Sequence, residues 1–80
     1  MLHAATIGPC TVVSILTGPT VDVNIVEDRF GVFYVQYEFS RARNEWRFHT
    51  SNGDDCSHPA SYGTKAAARR AQRRVFDRNN

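Results

Sequence analysis

The segment VFYVQYEF, at residues 32–39, constrains the fold more than any other stretch of this 80-residue chain. Its odd-numbered positions, from Phe33 to Phe39, are all apolar or aromatic, whereas Gln36 and Glu38 occupy alternate positions. A period of two residues is typical of a strand that buries one face and exposes the other. Because such a strand needs neighbouring strands and a covering layer, the segment predicts a sheet packed against another element.

Further strands are predicted on both sides of this segment. The runs TVVSILT (11–17) and VDVNIVE (21–27) are rich in β-branched residues and flank a Gly-Pro-Thr turn signal. After a polar loop, EWRFHT (45–50) alternates aromatic with charged or polar side chains. An Asn-Gly pair then predicts a hairpin turn, followed by a weak return strand over about 54–58 that Pro59 ends.

A helix is predicted over about residues 64–78. Thr64 is a suitable N-cap, and the residues after it contain no Gly, no Pro and no β-branched residue except Val75. At 100° per residue, one stripe of the helix is apolar and consists of Ala67, Ala68, Ala71 and Val75. The opposite side consists of Lys65, Arg69, Arg70 and Arg73. Because alanine is small, this helix is expected to lie close against a sheet.

Together these patterns predict an α+β fold, in which an antiparallel sheet of four to five short strands is covered on one face by a single C-terminal helix. The chain, 1–80, is expected to form one domain, since no repeat or linker divides it. Trp46 is expected beneath the helix. Its predicted neighbours are Phe48, Ala71 and either Phe33 or Val35.

The charge of the chain is unevenly distributed, although its net value is only +2. Residues 65–80 carry six Lys and Arg against one acidic residue, whereas residues 1–64 carry four Arg against seven acidic residues. One explanation is a solvated helix face, because Arg is a good helix former and cations are favoured near a helix C-terminus. The other is a binding surface, which the scarcity of acidic partners in the helix favours.

The predicted binding surface centres on two arginines of the helix, Arg69 and Arg73. Phe76 is expected either beside them as an exposed aromatic or folded back onto the core. An alternative surface on the sheet begins at Tyr34 and Arg47. The full set of predicted binding residues is Arg69, Arg73, Arg70, Lys65, Phe76, Tyr34 and Arg47.

The order of features in the second half of the chain is similar to that of a known family. These features are Phe33, EWRF at 45–48, Asn52-Gly53, and YGTKAAARRAQRRV at 62–75. In this order they resemble the YegP-like domain, a small module of unassigned function, over about residues 32–76. The resemblance implies a sheet covered by one helix, and it implies no catalytic residues.

The order of three strands followed by a helix is also similar to the arm-type DNA-binding domains of phage integrases. In that family the sheet enters the major groove. The resemblance implies a reading face formed by Tyr34, Gln36, Glu38, Arg47 and His49. A carboxylate on such a face weakens its attraction to phosphate, so the helix remains the favoured surface.

Enzymatic chemistry is not predicted, and neither a cofactor nor a metal is expected. Structural zinc sites usually contain paired ligands, whereas this chain has one close pair, Cys56 and His58, with other Cys and His residues scattered. No glycine-rich oxyanion loop accompanies a Cys/His pair, and Asp54 and Asp55 follow the Asn-Gly turn, where carboxylates commonly serve the turn. No nucleotide-binding motif is present.

The expected function is therefore binding. No apolar run approaches the roughly 20 residues that cross a bilayer, and no secretory leader is recognisable, so a cytoplasmic location is expected. In size and character the chain is similar to the anti-CRISPR inhibitors of phages. It is expected to be a monomer or weak dimer that docks its basic helix on an acidic or nucleic-acid-binding surface of a larger host complex. The alternative partner is nucleic acid itself.

Overall fold

The computed structural model describes residues 9–50 and 59–80, which form a four-stranded antiparallel sheet followed by one helix. The elements are β1 (Cys10–Thr17), β2 (Asp22–Asp28), β3 (Phe33–Ser40), β4 (Glu45–Phe48) and α1 (Lys65–Asn79). The strands lie side by side in chain order. The predicted α+β fold is therefore confirmed. The proposed fifth strand at 54–58 and its Asn-Gly turn lie outside the described residues.

The core lies between α1 and the two central strands. It is formed by Val23 of β2, Val35 of β3, and Ala71 and Val75 of α1, all at most 1% exposed. Partly buried side chains surround it, namely Val21, Tyr37, Tyr62 and Phe76. Ala68 and Ala71 are fully buried, so the alanine side of the helix is covered by the sheet, as the sequence pattern predicts. Within the described part of the chain, no helix has the length and apolar character needed to span a bilayer.

The two ends of α1 are held by specific hydrogen bonds. Thr64 is the N-cap, as predicted, and its Oγ1 accepts from the backbone N–H of Ala67 at 3.2 Å. At the other end, the Oδ1 of Asn80 accepts from the backbone N–H groups of Thr20 and Val21 at 2.9 and 3.1 Å. Asn80 thus attaches the C-terminal end of the helix to the β1–β2 turn.

A polar residue, Gln72, completes the buried stripe of α1. It is 3% exposed, and its Nε2 donates to the carbonyl oxygen of Val23 at 2.9 Å. The buried helix positions are Ala68, Ala71, Gln72 and Val75. The observed stripe contains Gln72, whereas the predicted stripe contained Ala67. At 100° per residue, this difference rotates the centre of the stripe by roughly 35° around the helix axis. This rotation turns the helix side that bears Phe76 toward the sheet.

A bulge in β3 sets the orientation of β4. Ser40 is opposite Glu45, and Glu38 is opposite Trp46, so Phe39 is an extra residue between them. If the pairing that starts at Ser40 and Glu45 continued without a bulge, Trp46 would be opposite Phe39 and would share the helix-covered face. A register change of one residue moves every side chain of a strand to the other face.

Trp46 and Phe48 therefore lie on the face opposite the helix. The prediction that Trp46 packs beneath α1 is wrong: its side chain is half-buried and its Nε1 donates to Oδ1 of Asn44 at 3.2 Å. The reading face implied by the integrase resemblance is also divided. Arg47 and His49 lie on the helix side, whereas Tyr34, Gln36 and Glu38 lie on the other.

Candidate binding surface on the helix

The outward side of α1 carries a group of exposed cationic residues, which we call the basic face. It consists of Lys65, Arg69, Arg70, Arg73 and Arg74. No acidic residue occupies the first turn of the helix, and Arg78 occupies the last. The predicted exposure of Arg69, Arg70, Arg73 and Lys65 is confirmed, and Arg74 joins them. By helical spacing Arg74 borders the predicted alanine stripe, but the rotation of the stripe toward Gln72 turns Arg74 outward.

Few of these charges are neutralised inside the molecule. Arg73 forms an ion pair with Asp77, one helical turn away, at 3.2 Å between Nε and Oδ1. Within residues 9–50 and 59–80, no other residue of the basic face forms an ion pair. Exposed pairs of this kind are worth little, since water screens both charges. The basic face is therefore almost entirely available to an external anion.

The basic face has two flanks, which are set by what each side of α1 packs against. Gln72 contacts Ser14 and Val23, so its side of the helix is directed toward β1 and β2. By helical spacing, Lys65, Arg69 and Arg73 belong to this flank. Arg70 and Arg74 belong to the flank directed toward β4.

On the β4 flank the helix approaches His49. This imidazole is half-buried. Burial lowers its pKa, and the positive charges of Arg78 and Arg74 lower the pKa further. Since the ordinary pKa of histidine is about 6.5, His49 is neutral at pH 7. It adds no charge to the basic face.

Phe76 adopts the second of the two predicted arrangements, in which it folds back onto the core. Its ring is half-buried and packs against the core cluster. The guanidinium carbon of Arg73 lies 5.6 Å from the ring centroid. Phe76 thus lies between the core and one arginine of the basic face, which can interact with the ring by cation–π attraction.

The two predicted sheet residues lie apart from the basic face. Tyr34 is on the opposite side of the sheet, where its hydroxyl donates to Oδ2 of Asp28 at 3.2 Å and its ring meets Phe48 edge-on at 6.1 Å. Burial and the nearby Asp28 carboxylate raise its pKa. Arg47 lies on the helix side, with its guanidinium 3.4 Å from the centroid of the exposed Phe39 ring. Arg47 therefore lies on the same side of the sheet as α1, whereas Tyr34 does not.

A second charged cluster, absent from the predictions, holds the loops at one end of the sheet. The Glu38 carboxylate accepts from Arg41 at 2.8 Å and from the backbone N–H of Asp22 at 2.6 Å. Hydrogen bonds from Arg41 lower the pKa of Glu38. Arg41 also donates to Oδ1 of Asp22 and to the carbonyl of Gly18. With its donors directed inward, this arginine fastens the β1–β2 turn to the β3–β4 loop rather than serving a partner.

The described residues offer little for nucleophilic or metal chemistry. Burial raises the pKa of the Cys10 thiol, and the Asp28 carboxylate raises it further, so the thiol is protonated at neutral pH. No group of three potential metal ligands occurs among the residues that the structure describes. His3, Cys56, His58, Asp54 and Asp55 lie outside them.

Comparisons with protein-family models, with curated proteins and with solved structures found no match to this chain.

Proposed function

We propose that this chain is a non-enzymatic binding protein that docks its basic face on an acidic surface of a larger protein complex and obstructs that complex sterically. The observation that carries the proposal is the set of five exposed cations on one side of α1, among which Arg73 alone forms an ion pair within the described residues. Complementary charge raises the rate of association and excludes partners of like charge.

Of the surfaces that such a complex presents, an acidic one suits the basic face. A groove that binds nucleic acid is itself usually basic and would repel five cations. Arginine also suits a protein partner, because its planar guanidinium forms paired hydrogen bonds with carboxylates.

The size of the helix implies that the partner contacts more than α1. Fifteen residues span about 22 Å, and a helix is roughly 10–12 Å wide. That area is smaller than the roughly 800 Å² that each partner buries in a standard interface. The neighbouring surface on the helix side of the sheet includes Phe39, which is 49% exposed beneath Arg47. We place the remainder of the contact there, with Phe39 as its apolar anchor.

The proposal is tested by charge reversal on the basic face. In a pull-down from a nuclease-treated cell lysate, the wild-type chain is expected to retain a specific protein, and the Arg69→Glu/Arg73→Glu variant is expected to lose it. Like charges brought together at an interface cost several kcal/mol, which corresponds to a loss of affinity of more than about a hundredfold. Circular dichroism should show nearly unchanged folding, since exposed charges contribute little to stability.

A variant with the same change in net charge is the control. Arg29 and Arg43 are exposed and lie in the two turns that flank β3, outside the basic face. The Arg29→Glu/Arg43→Glu variant should therefore capture the same protein as the wild type. Equal losses from both double variants would mean that only net charge matters. Retention by the Arg69→Glu/Arg73→Glu variant would mean that the arginines are merely a solvated face.

Nucleic acid is the second candidate partner, because the same exposed cations can neutralise phosphates. Contacts between cations and backbone phosphates carry no sequence information, so this binding would depend little on sequence. Contact with about four phosphates predicts that log K falls with log salt with a slope of roughly −4. A fluorescence titration with duplex DNA at low salt checks this, and absence of binding there rules it out.

A further inference from the structure

The two edges of the sheet differ sharply. At one edge, β4 has four residues, and Glu45 and Arg47 on it are exposed and charged. Short length and charge are the usual means by which proteins prevent edge strands from pairing with other chains. At the other edge, β1 has eight residues, with no charged residue, no Gly and no Pro. No described strand pairs with its outer side.

A bulge in β1 places two of its apolar side chains on one face. Val12 is opposite Val26, whereas Ile15 is opposite Asn24. Because Val26 and Asn24 are two residues apart, they share a face, and so do Val12 and Ile15, although these are three residues apart. This face is opposite the helix. Val12 is 47% exposed and Ile15 is 59% exposed, an unusual degree for large apolar residues within a strand.

We propose that β1 pairs antiparallel with β1 of a second copy of this chain, about a two-fold axis perpendicular to the sheet between Val13 and Ser14. In this register Val12 is opposite Ile15 of the partner subunit, and Ile15 is opposite Val12 of the partner subunit. All four side chains then lie on one face in adjacent pairs, which is the arrangement that stabilises a sheet. The result is a continuous sheet of eight strands.

A second copy fits this edge because β1 is complementary to itself. Reversal about the two-fold axis pairs Val12 with Ile15, Thr11 with Leu16, Val13 with Ser14 and, at the ends, Cys10 with Thr17. No charge is buried, since the strand carries none. The bulge lies at the axis, so the regular segments on either side of it, 10–12 and 15–17, pair with one another. The contact is small, which predicts a weak, concentration-dependent dimer.

The dimer would also bring two basic faces together. The two-fold axis leaves both helices on the same side of the joined sheet. Since α1 packs over β2 and β3, and strands lie about 4.8 Å apart, the two helix axes would be roughly 20 Å apart. The cations on the flanks directed toward β1 would lie closer together than the axes, so their repulsion weakens the dimer and salt reduces this repulsion. On the proposed function, two paired basic faces would bind an extended acidic surface more tightly than one basic face does.

Sedimentation equilibrium of the full chain, from about 10 μM to about 1 mM, tests the proposal over the range where small interfaces dissociate. The wild-type mass is expected to rise from 9.0 kDa toward twice that value. Ile15→Lys should increase the dissociation constant at least about tenfold, because an edge lysine opposes pairing. Phe30→Lys is the matched control, since Phe30 is 75% exposed in the β2–β3 turn, and it should dimerise as the wild type does.

A disulfide trap checks the register and does not depend on how Ile15→Lys folds. With Cys10 and Cys56 replaced by serine, the Val12→Cys/Ile15→Cys variant should form a covalent dimer on mild oxidation, whereas Phe30→Cys should not. A wild-type chain that stays monomeric throughout would overturn the proposal. So would a dimer that Ile15→Lys leaves intact, or equal cross-linking at position 30. None of these measurements involves the partner of the basic face, so their failure and that of the proposed function are separate outcomes.

Discussion

Gln72→Met removes the amide that joins the helix to the sheet and keeps nearly the same side-chain length. Gln72 is 3% exposed, and its Nε2 donates to the Val23 carbonyl at 2.9 Å and to Ser14 Oγ at 3.4 Å. Methionine fills similar space but cannot donate, so the Val23 carbonyl loses a buried partner. Leaving a buried polar group unsatisfied costs about 1–3 kcal/mol.

This cost is large for a chain of this size. Eighty residues correspond to a total stability of roughly 4–12 kcal/mol. A loss of about 2 kcal/mol would lower the midpoint of thermal unfolding by roughly 8–16 °C. Circular dichroism during heating measures this shift, and a urea titration gives the free energy of unfolding directly.

Arg70→Met is the control for Gln72→Met, because it places the same side chain at an exposed position of the same helix. Its effect should stay within about 0.5 kcal/mol. If both variants unfold at the wild-type midpoint, the amide of Gln72 contributes nothing to stability and our account of the helix–sheet contact is wrong.

Three further outcomes follow from the structure. Trp46→Ala should cost less than about 2 kcal/mol in a urea titration, because the ring is half-buried on the face opposite α1, whereas a tryptophan under the helix would cost about 3–5 kcal/mol. The contribution of His49 to stability should be complete above the pKa of the unfolded state, about 6.5, and should fall as the pH drops below that value. The reason is that the native pKa is lowered, so the unfolded state binds the proton more readily. Urea midpoints at several pH values should show this fall, and His49→Gln should reduce it. Gly18→Ala should lower the thermal midpoint because its new Cβ would collide with the Asn80 side chain, and the loss should shrink in an Asn80→Gly background.

The elements of the fold could be predicted from the sequence because each has a local signature. The alternation in β3 identifies a half-buried strand, and the capping threonine with its alanine stripe identifies α1 and its covering role. The exposure of Arg69, Arg70, Arg73 and Lys65 follows from helical spacing alone. These features depend on neighbours within the same segment, which a sequence displays directly.

The orientation of β4 could not be predicted in this way, because a bulge belongs to the pairing of two strands. A single extra residue, Phe39, decides whether Trp46 faces the helix or the opposite side. The asparagine in the loop was the one sequence signal. Asn44 adopts a positive φ of 57°, which asparagine tolerates better than most residues. A residue with positive φ commonly accompanies a hairpin that contains a bulge. The burial of Gln72 has a similar origin, since its partner, the Val23 carbonyl, is 49 residues away in the chain.

The central claim, that the basic face is the surface that meets a partner, is tested most directly by site-specific photo-crosslinking. A photoreactive amino acid is placed at Arg70, which is exposed on the basic face, or at Phe30, which is exposed in the β2–β3 turn. After irradiation in a nuclease-treated lysate, we expect a discrete cross-linked protein from the variant at position 70 and none from the variant at position 30. A cross-linked protein from position 30 alone would contradict the account.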